Sequence, residues 1–157
     1  RAPSVELLRG VFDAAMSIYL DRFLNIPAAR VPGADVATVV KTEDVLEELP
    51  LLLNRQQQVN EAGELVAAYL YGEGNPAPLL ATLGKLLLRE DRDFHTIQTV
   101  EAAFRQFGHW GHTEAGINTL IAAARYLAAH SPTVRSQGQT YDIAYRLHRG
   151  DRIYEGD

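Results

Sequence analysis

Apolar residues recur at helical spacing along nearly the whole chain, and the strict alternation of a half-buried strand is absent. Ser4 is a good N-cap, Glu6 suits the positive end of a helix, and Leu7, Leu8, Val11, Phe12, Ala15, Ile18, Tyr19 and Phe23 then follow an i, i+3, i+4 pattern. A first helix is predicted to about Leu24. Asn25, Pro27, Pro32 and Gly33 interrupt it, so residues 25–41 read as a Pro/Gly-containing connector. Within that connector, Val36 to Val40 is a β-branched run with no second strand of similar quality to pair with, and it is assigned to loop. Thr42 with Glu43 and Asp44 opens a short helix that Pro50 should end or kink. From Leu51 to Tyr71 the residues Leu52, Leu53, Val59, Leu65, Val66, Tyr69 and Leu70 keep a helical spacing across the glutamine-rich stretch Asn54 to Asn60, until Gly72 to Asn75 stops it.

Asn75-Pro76 is a capping residue followed by proline at the first helical position, and Leu79, Leu80, Leu83, Leu86 and Leu87 form the stripe of the helix it opens. The charged run Arg89 to Asp93 predicts a break, with a fresh N-terminus at Asp91 or Asp93. Phe94, Ile97, Val100, Glu101, Phe104 and Phe107 mark a further helix with a narrow apolar stripe, and Gly108 is expected at its C-terminus. His109-Trp110-Gly111-His112 then reads as a tight connection anchored in the core by Trp110. Thr113-Glu114 restarts a helix carrying Ile117, Leu120, Ile121, Ala124 and Leu127, and its alanines let a neighbour approach closely, so it should be the most central element. Ser131-Pro132 ends it, and a last helix spans about Ser136 to His148, where Arg149-Gly150-Asp151 reads as a C-cap turn. Six or seven helices without a credible sheet predict an all-α, single-domain bundle over residues 1–157.

Composition narrows the function classes. A chain of 157 residues with 46% hydrophobic and 22% charged positions can keep an apolar core, which excludes a disordered or low-complexity chain. Its 15 Lys+Arg against 20 Asp+Glu give no basic field for phosphate backbones, so nucleic acid is not an expected partner. Without cysteine there is no thiolate nucleophile, Cys-ligated zinc or cluster held by the chain itself, and a reducing, cytoplasmic setting fits. No apolar run approaches the length of a membrane span. Arg1 stands where Met would begin a primary product, so a processed chain, or a portion of a longer one with an upstream domain, is expected.

Histidines are the most informative reactive groups. His95, Gln98 and Glu101, with Arg105, place polar groups near the inner face of the helix after Asp93; with Trp110 and Tyr126 they define a candidate ligand pocket in which His95 acts as base or ligand beside Glu101. A satisfied structural network is the competing reading. His109 and His112, with Glu114 beyond, would make a metal site only if the turn folds over, and a zinc ion needs three or four ligands. Arg125 should find a carboxylate, with Glu101 and Asp142 as candidates. Phosphate-binding glycine loops, nucleophile elbows and His-Glu-x-x-His are missing, as are the Glu-x-x-His pairs of di-iron bundles. No cofactor is expected.

Three phrases, Ile18-Tyr-Leu-Asp-Arg-Phe-Leu-Asn-Ile-Pro-Ala-Ala-Arg30, Asp93-Phe-His-Thr-Ile-Gln98 and Leu120-Ile-Ala-Ala-Ala-Arg-Tyr-Leu-Ala-Ala-His130, resemble a helical region of bacterial Rieske-type [2Fe–2S] proteins associated with uptake hydrogenases. The resemblance spans most of the chain and implies an electron-transfer context. It transfers no ligand or catalytic residue, because the Rieske domain itself needs cysteines. The expectation is therefore a helical accessory or protein-interaction domain of a bacterial oxidoreductase system, partnered by another protein, an upstream domain or a second copy. The alternative is a small-molecule-binding or metal-dependent enzyme built on the His95/Glu101 pocket.

Overall fold

The structure, a computed structural model, describes residues 2–24, 29–38 and 42–152. Its elements are α1 (Val5–Asp21), a 3-10 turn (Ala34–Thr38), α2 (Thr42–Leu52), α3 (Val59–Tyr71), α4 (Pro76–Arg89), α5 (Phe94–Trp110), α6 (Glu114–Ala129) and α7 (Ser136–His148). Among the described residues there is no strand, and the all-α expectation holds. The contacts divide the chain into two units, residues 1–30 and residues 31–157.

The first unit holds α1, where the Ser4 side chain accepts from the Leu7 N–H as an N-cap should. In the second unit, α6 is the central element and packs most extensively on α3 and α5. Small residues make this possible: Ala123, Ala124 and Ala128 are buried on α6, beside Leu120, Ile121 and Leu127. On α3, Gly63 lies under the Arg125 side chain, and a Cβ there would come within 2.6 Å of Arg125 Nε. Arg125 therefore runs across the α3–α6 seam, and Glu101 pairs with Arg105. Leu49, Leu53, Leu70, Leu79, Leu83 and Leu86 complete the core from α2, its following turn, α3 and α4.

Several boundaries differ from the periodicity reading. Pro50 does not end its helix, because α2 continues through it to Leu52. It sits in the last turn, where one missing N–H costs little against burial of Val45, Leu49 and Leu52, and its carbonyl accepts from Arg89 Nη1 at 3.2 Å. The glutamine stretch does not continue the helix: the chain turns between Leu53 and Gln58, with Gln57 left-handed at φ 60°. Leu52 and Leu53 on one side and Ala62, Leu65 and Val66 on the other are all buried, and only a turn brings both groups to one core, so packing overrides the helix preference of Gln. The 34–38 part of the connector is a 3-10 turn packed on α3, with Val36 against the core; Asn25, Pro27, Val39 and Val40 lie outside the described residues, as does the Thr42 side chain.

Helix α5 begins at the Asp93 cap, whose carboxylate accepts from the Thr96 N–H and hydroxyl, both at 2.8 Å. It runs past Gly108 and stops at Gly111, whose φ of 56° and ψ of −142° suit glycine alone. Thr113 caps α6, and a Cβ on Gly116 would fall on the Gly111 carbonyl oxygen. Trp110 does not anchor this connection; it is about half exposed. Helix α3 closes with a Schellman pair from the Glu73 and Gly74 N–H groups, and α7 closes with another from Gly150 and Asp151, as the Arg-Gly-Asp turn predicted.

Candidate functional site

The inner face of α5 is formed by Thr96, Val100, Ala103 and Phe107. His95, Gln98 and Glu101 lie on its outer side, all exposed, where they were expected near the inner face. Ala103 lies against α6, where Thr119 Oγ1 donates to its carbonyl at 3.4 Å, and the face it shares with Thr96, Val100 and Phe107 is the buried one, which leaves Phe94 and Ile97 exposed. Glu101 is engaged by Arg105 one turn on, through Arg105 Nε at 3.0 Å and a closer contact from Nη2. The His95 ring lies against Phe94, with centroids 3.8 Å apart.

Trp110 is fifteen positions from His95 on the same helix, about 22 Å away, so one pocket cannot hold both. The structure thus divides the expected residues between two ends of the α5–α6 hairpin. At the turn, His109 and His112 are exposed, and His112 meets the Phe107 ring edge-on at 5.8 Å. Glu114 faces Tyr71, whose phenol pKa is raised by burial and then by this carboxylate. His109, His112 and Glu114 are not brought together, and among the described residues no three His, Asp or Glu side chains converge as a metal requires.

At the other end, Tyr126 stacks on His130, with centroids 4.3 Å apart, and the Tyr126 carbonyl lies 2.8 Å from His130 Nδ1. Asp93 is near both His95 and His130: the Thr96 N–H and hydroxyl lower its pKa first, and the two imidazoles add to the effect. Beside His130 is a cavity of about 260 Å³ lined by Gln56, Gln57, Ala129, Ser131 and Pro132, below the size that usually encloses a drug-sized ligand.

The densest polar constellation is one that periodicity does not reveal. Glu90 is only 5% exposed. Its Oε1 accepts from Arg89 Nε and from Arg135 Nε and Nη2 at 2.9–3.1 Å, and its Oε2 accepts from the Thr133 N–H and hydroxyl, both at 2.8 Å. Burial alone would raise the Glu90 pKa, but the bonds from Arg135, Thr133 and Arg89 outweigh it and bring it down to about 2. A carboxylate so fully engaged is a clamp and not a proton carrier. Next to it, Asp91 accepts from the Ser136 N–H and hydroxyl and from the Gln137 N–H at 2.8–2.9 Å. The run Arg89 to Asp93 is visible in the sequence, but the partners Thr133, Arg135, Ser136 and Gln137 that Glu90 and Asp91 engage lie more than forty residues on.

Two helices expose their apolar residues. On α1, Val5, Val11, Phe12 and Ile18 are 60–78% exposed and no residue is buried. At 100° per residue, Glu6, Gly10, Asp13, Ser17 and Asp21 fall in one strip of about 80°, and most of the remaining circumference is apolar. On α7, Tyr141, Ile143, Tyr145 and Leu147 are exposed, with the two tyrosine rings stacked 6.1 Å apart. Among the described residues, no helix is long and apolar enough to cross a membrane.

No family model, curated protein or solved structure matches the chain. The likeness to the helical region of Rieske-type proteins rests on the quoted phrases alone.

Proposed function

We propose that this chain is a helical interaction domain of a bacterial, cytoplasmic oxidoreductase or electron-transfer system, working by packing against a partner protein or domain. The observation that carries the interaction reading is α1, an amphipathic helix whose broad apolar face finds no cover within its own unit. Apolar surface on that scale marks a contact surface in a folded protein. A protein suits it better than an anionic bilayer, since the acidic Glu6, Asp13 and Asp21 of α1 outnumber its single cation, Arg9. The redox context comes from the resemblance of the three phrases. The enzyme alternative gains less from the geometry, with Glu101 held by Arg105 and Trp110 remote from His95.

A photo-crosslinking residue placed at Phe12 or Ile18 in cells tests this. The expected result is one dominant adduct with an iron–sulfur protein, abolished by Phe12→Glu. Adducts with lipid alone, or a protein adduct that survives Phe12→Glu, would overturn it.

A further inference from the structure

We infer that α7 is a separately folding arm whose helical state is switched by the Asp91 carboxylate, a conformational device that stands apart from the identity of any partner. Helix α7 buries no residue and contributes nothing to the core cluster. Tertiary packing, the usual source of helical stability, is therefore not what holds it. At 13 residues it is also about as short as an isolated helix can be and still be marginal in water. Stability must come from its ends.

The C-terminal end closes itself through the Gly150 and Asp151 N–H groups. The N-terminal end does not. Its N-cap position is Arg135, left-handed at φ 59°, and a guanidinium, which carries donors only, cannot accept from the orphan N–H groups; it donates instead to Glu90 and to Asn54 Oδ1. The cap is supplied from 45 residues away, where Asp91 Oδ2 takes the Ser136 N–H and hydroxyl and Oδ1 takes the Gln137 N–H. One carboxylate thus satisfies two orphan donors and places a negative charge at the positive end of the helix dipole. Arg92 adds a bond to Gln137 Oε1 at 2.9 Å, and the Asp91 N–H is itself donated to Thr133 Oγ1, so the cap is fixed to the Glu90 clamp. With Asp91 in place the arm is helical and presents the stacked Tyr141 and Tyr145 as a defined surface. Without it, the arm unwinds and that surface is lost, while the bundle of α2 to α6 remains.

Hydrogen exchange on the full chain, resolved to peptides, tests the switch. Asp91→Ala is expected to speed exchange across Gly138 to His148 by about five-fold or more, the effect of losing a good cap, with α3 and α6 unchanged. Asp91→Asn keeps an acceptor oxygen and should fall between. Ser136→Ala removes the hydroxyl bond alone and should give a smaller increase in the same segment. Wild-type exchange in α7 of Asp91→Ala would overturn the inference. So would α3 and α6 accelerating together with α7, or loss of the whole fold, since either would make the arm inseparable from the bundle.

Discussion

Helices α6 and α7 are similar in length and both carry apolar residues at helical spacing, yet α6 buries half of its residues and α7 buries none. The difference lies in apolar content and side-chain size. On α6 the apolar positions alternate with alanines, so two neighbours reach its backbone closely and Leu120 and Leu127 lose almost all contact with water. On α7 the aliphatic residues are only Ile143, Ala144 and Leu147, set among serine, glutamine, threonine, aspartate, arginine and histidine, so no broad apolar face is there to be covered. Apolar spacing therefore shows that a helix could be covered, and the breadth and fit of its apolar face decide whether it is. Each buried leucine of α6 is worth about 1.5–3 kcal/mol, a gain α7 forgoes entirely and replaces with a borrowed cap.

The same substitution in the two helices is the sharpest test. Leu120→Ala should cost about 3 kcal/mol, read as a lower denaturant midpoint at unchanged slope, because the cavity is enclosed on both sides of α6. An intermediate effect is expected at the join between bundle and arm. Glu90→Gln should cost about 2 kcal/mol near neutral pH, since it leaves Arg135 and Arg89 without their shared charge. Here the sign with pH is fixed by the lowered pKa. A carboxylate at about 2 in the fold and 4.5 when free stabilises fully above the higher value and loses that contribution as pH falls toward the lower. Wild type and Glu90→Gln should accordingly converge in midpoint as acid is added across that window, and a constant gap would show that Glu90 acts through packing. Smallest of all, Leu147→Ala should leave the midpoint within about 0.5 kcal/mol of wild type. A loss like that of Leu120→Ala would mean α7 is covered after all, and the comparison would fail.

Much of the fold was legible in local chemistry. Ser4, Asn75, Asp93 and Thr113 all cap the helices they precede, because a cap needs only its own next turn. The centrality of α6 could be read from its alanines for the same local reason. Misreadings arose where a distant partner outweighed local preference, as in the glutamine turn at Gln57 and the outward placing of Phe94 and Ile97. The candidate site was less legible still. Five residues expected to share a pocket are spread between two ends of a hairpin, and Glu90 and Arg135, which do meet, were marked by nothing beyond an ordinary charged run.

Helix content, the local caps Ser4, Asn75, Asp93 and Thr113, and the lack of cysteine were settled by the amino-acid order alone, since each depends on residues within a turn or on composition. Which face of α5 turned inward, which carboxylate capped α7, and which apolar helices went uncovered were settled only in three dimensions. Those outcomes depend on which elements meet and how closely they fit, and linear spacing carries no measure of either.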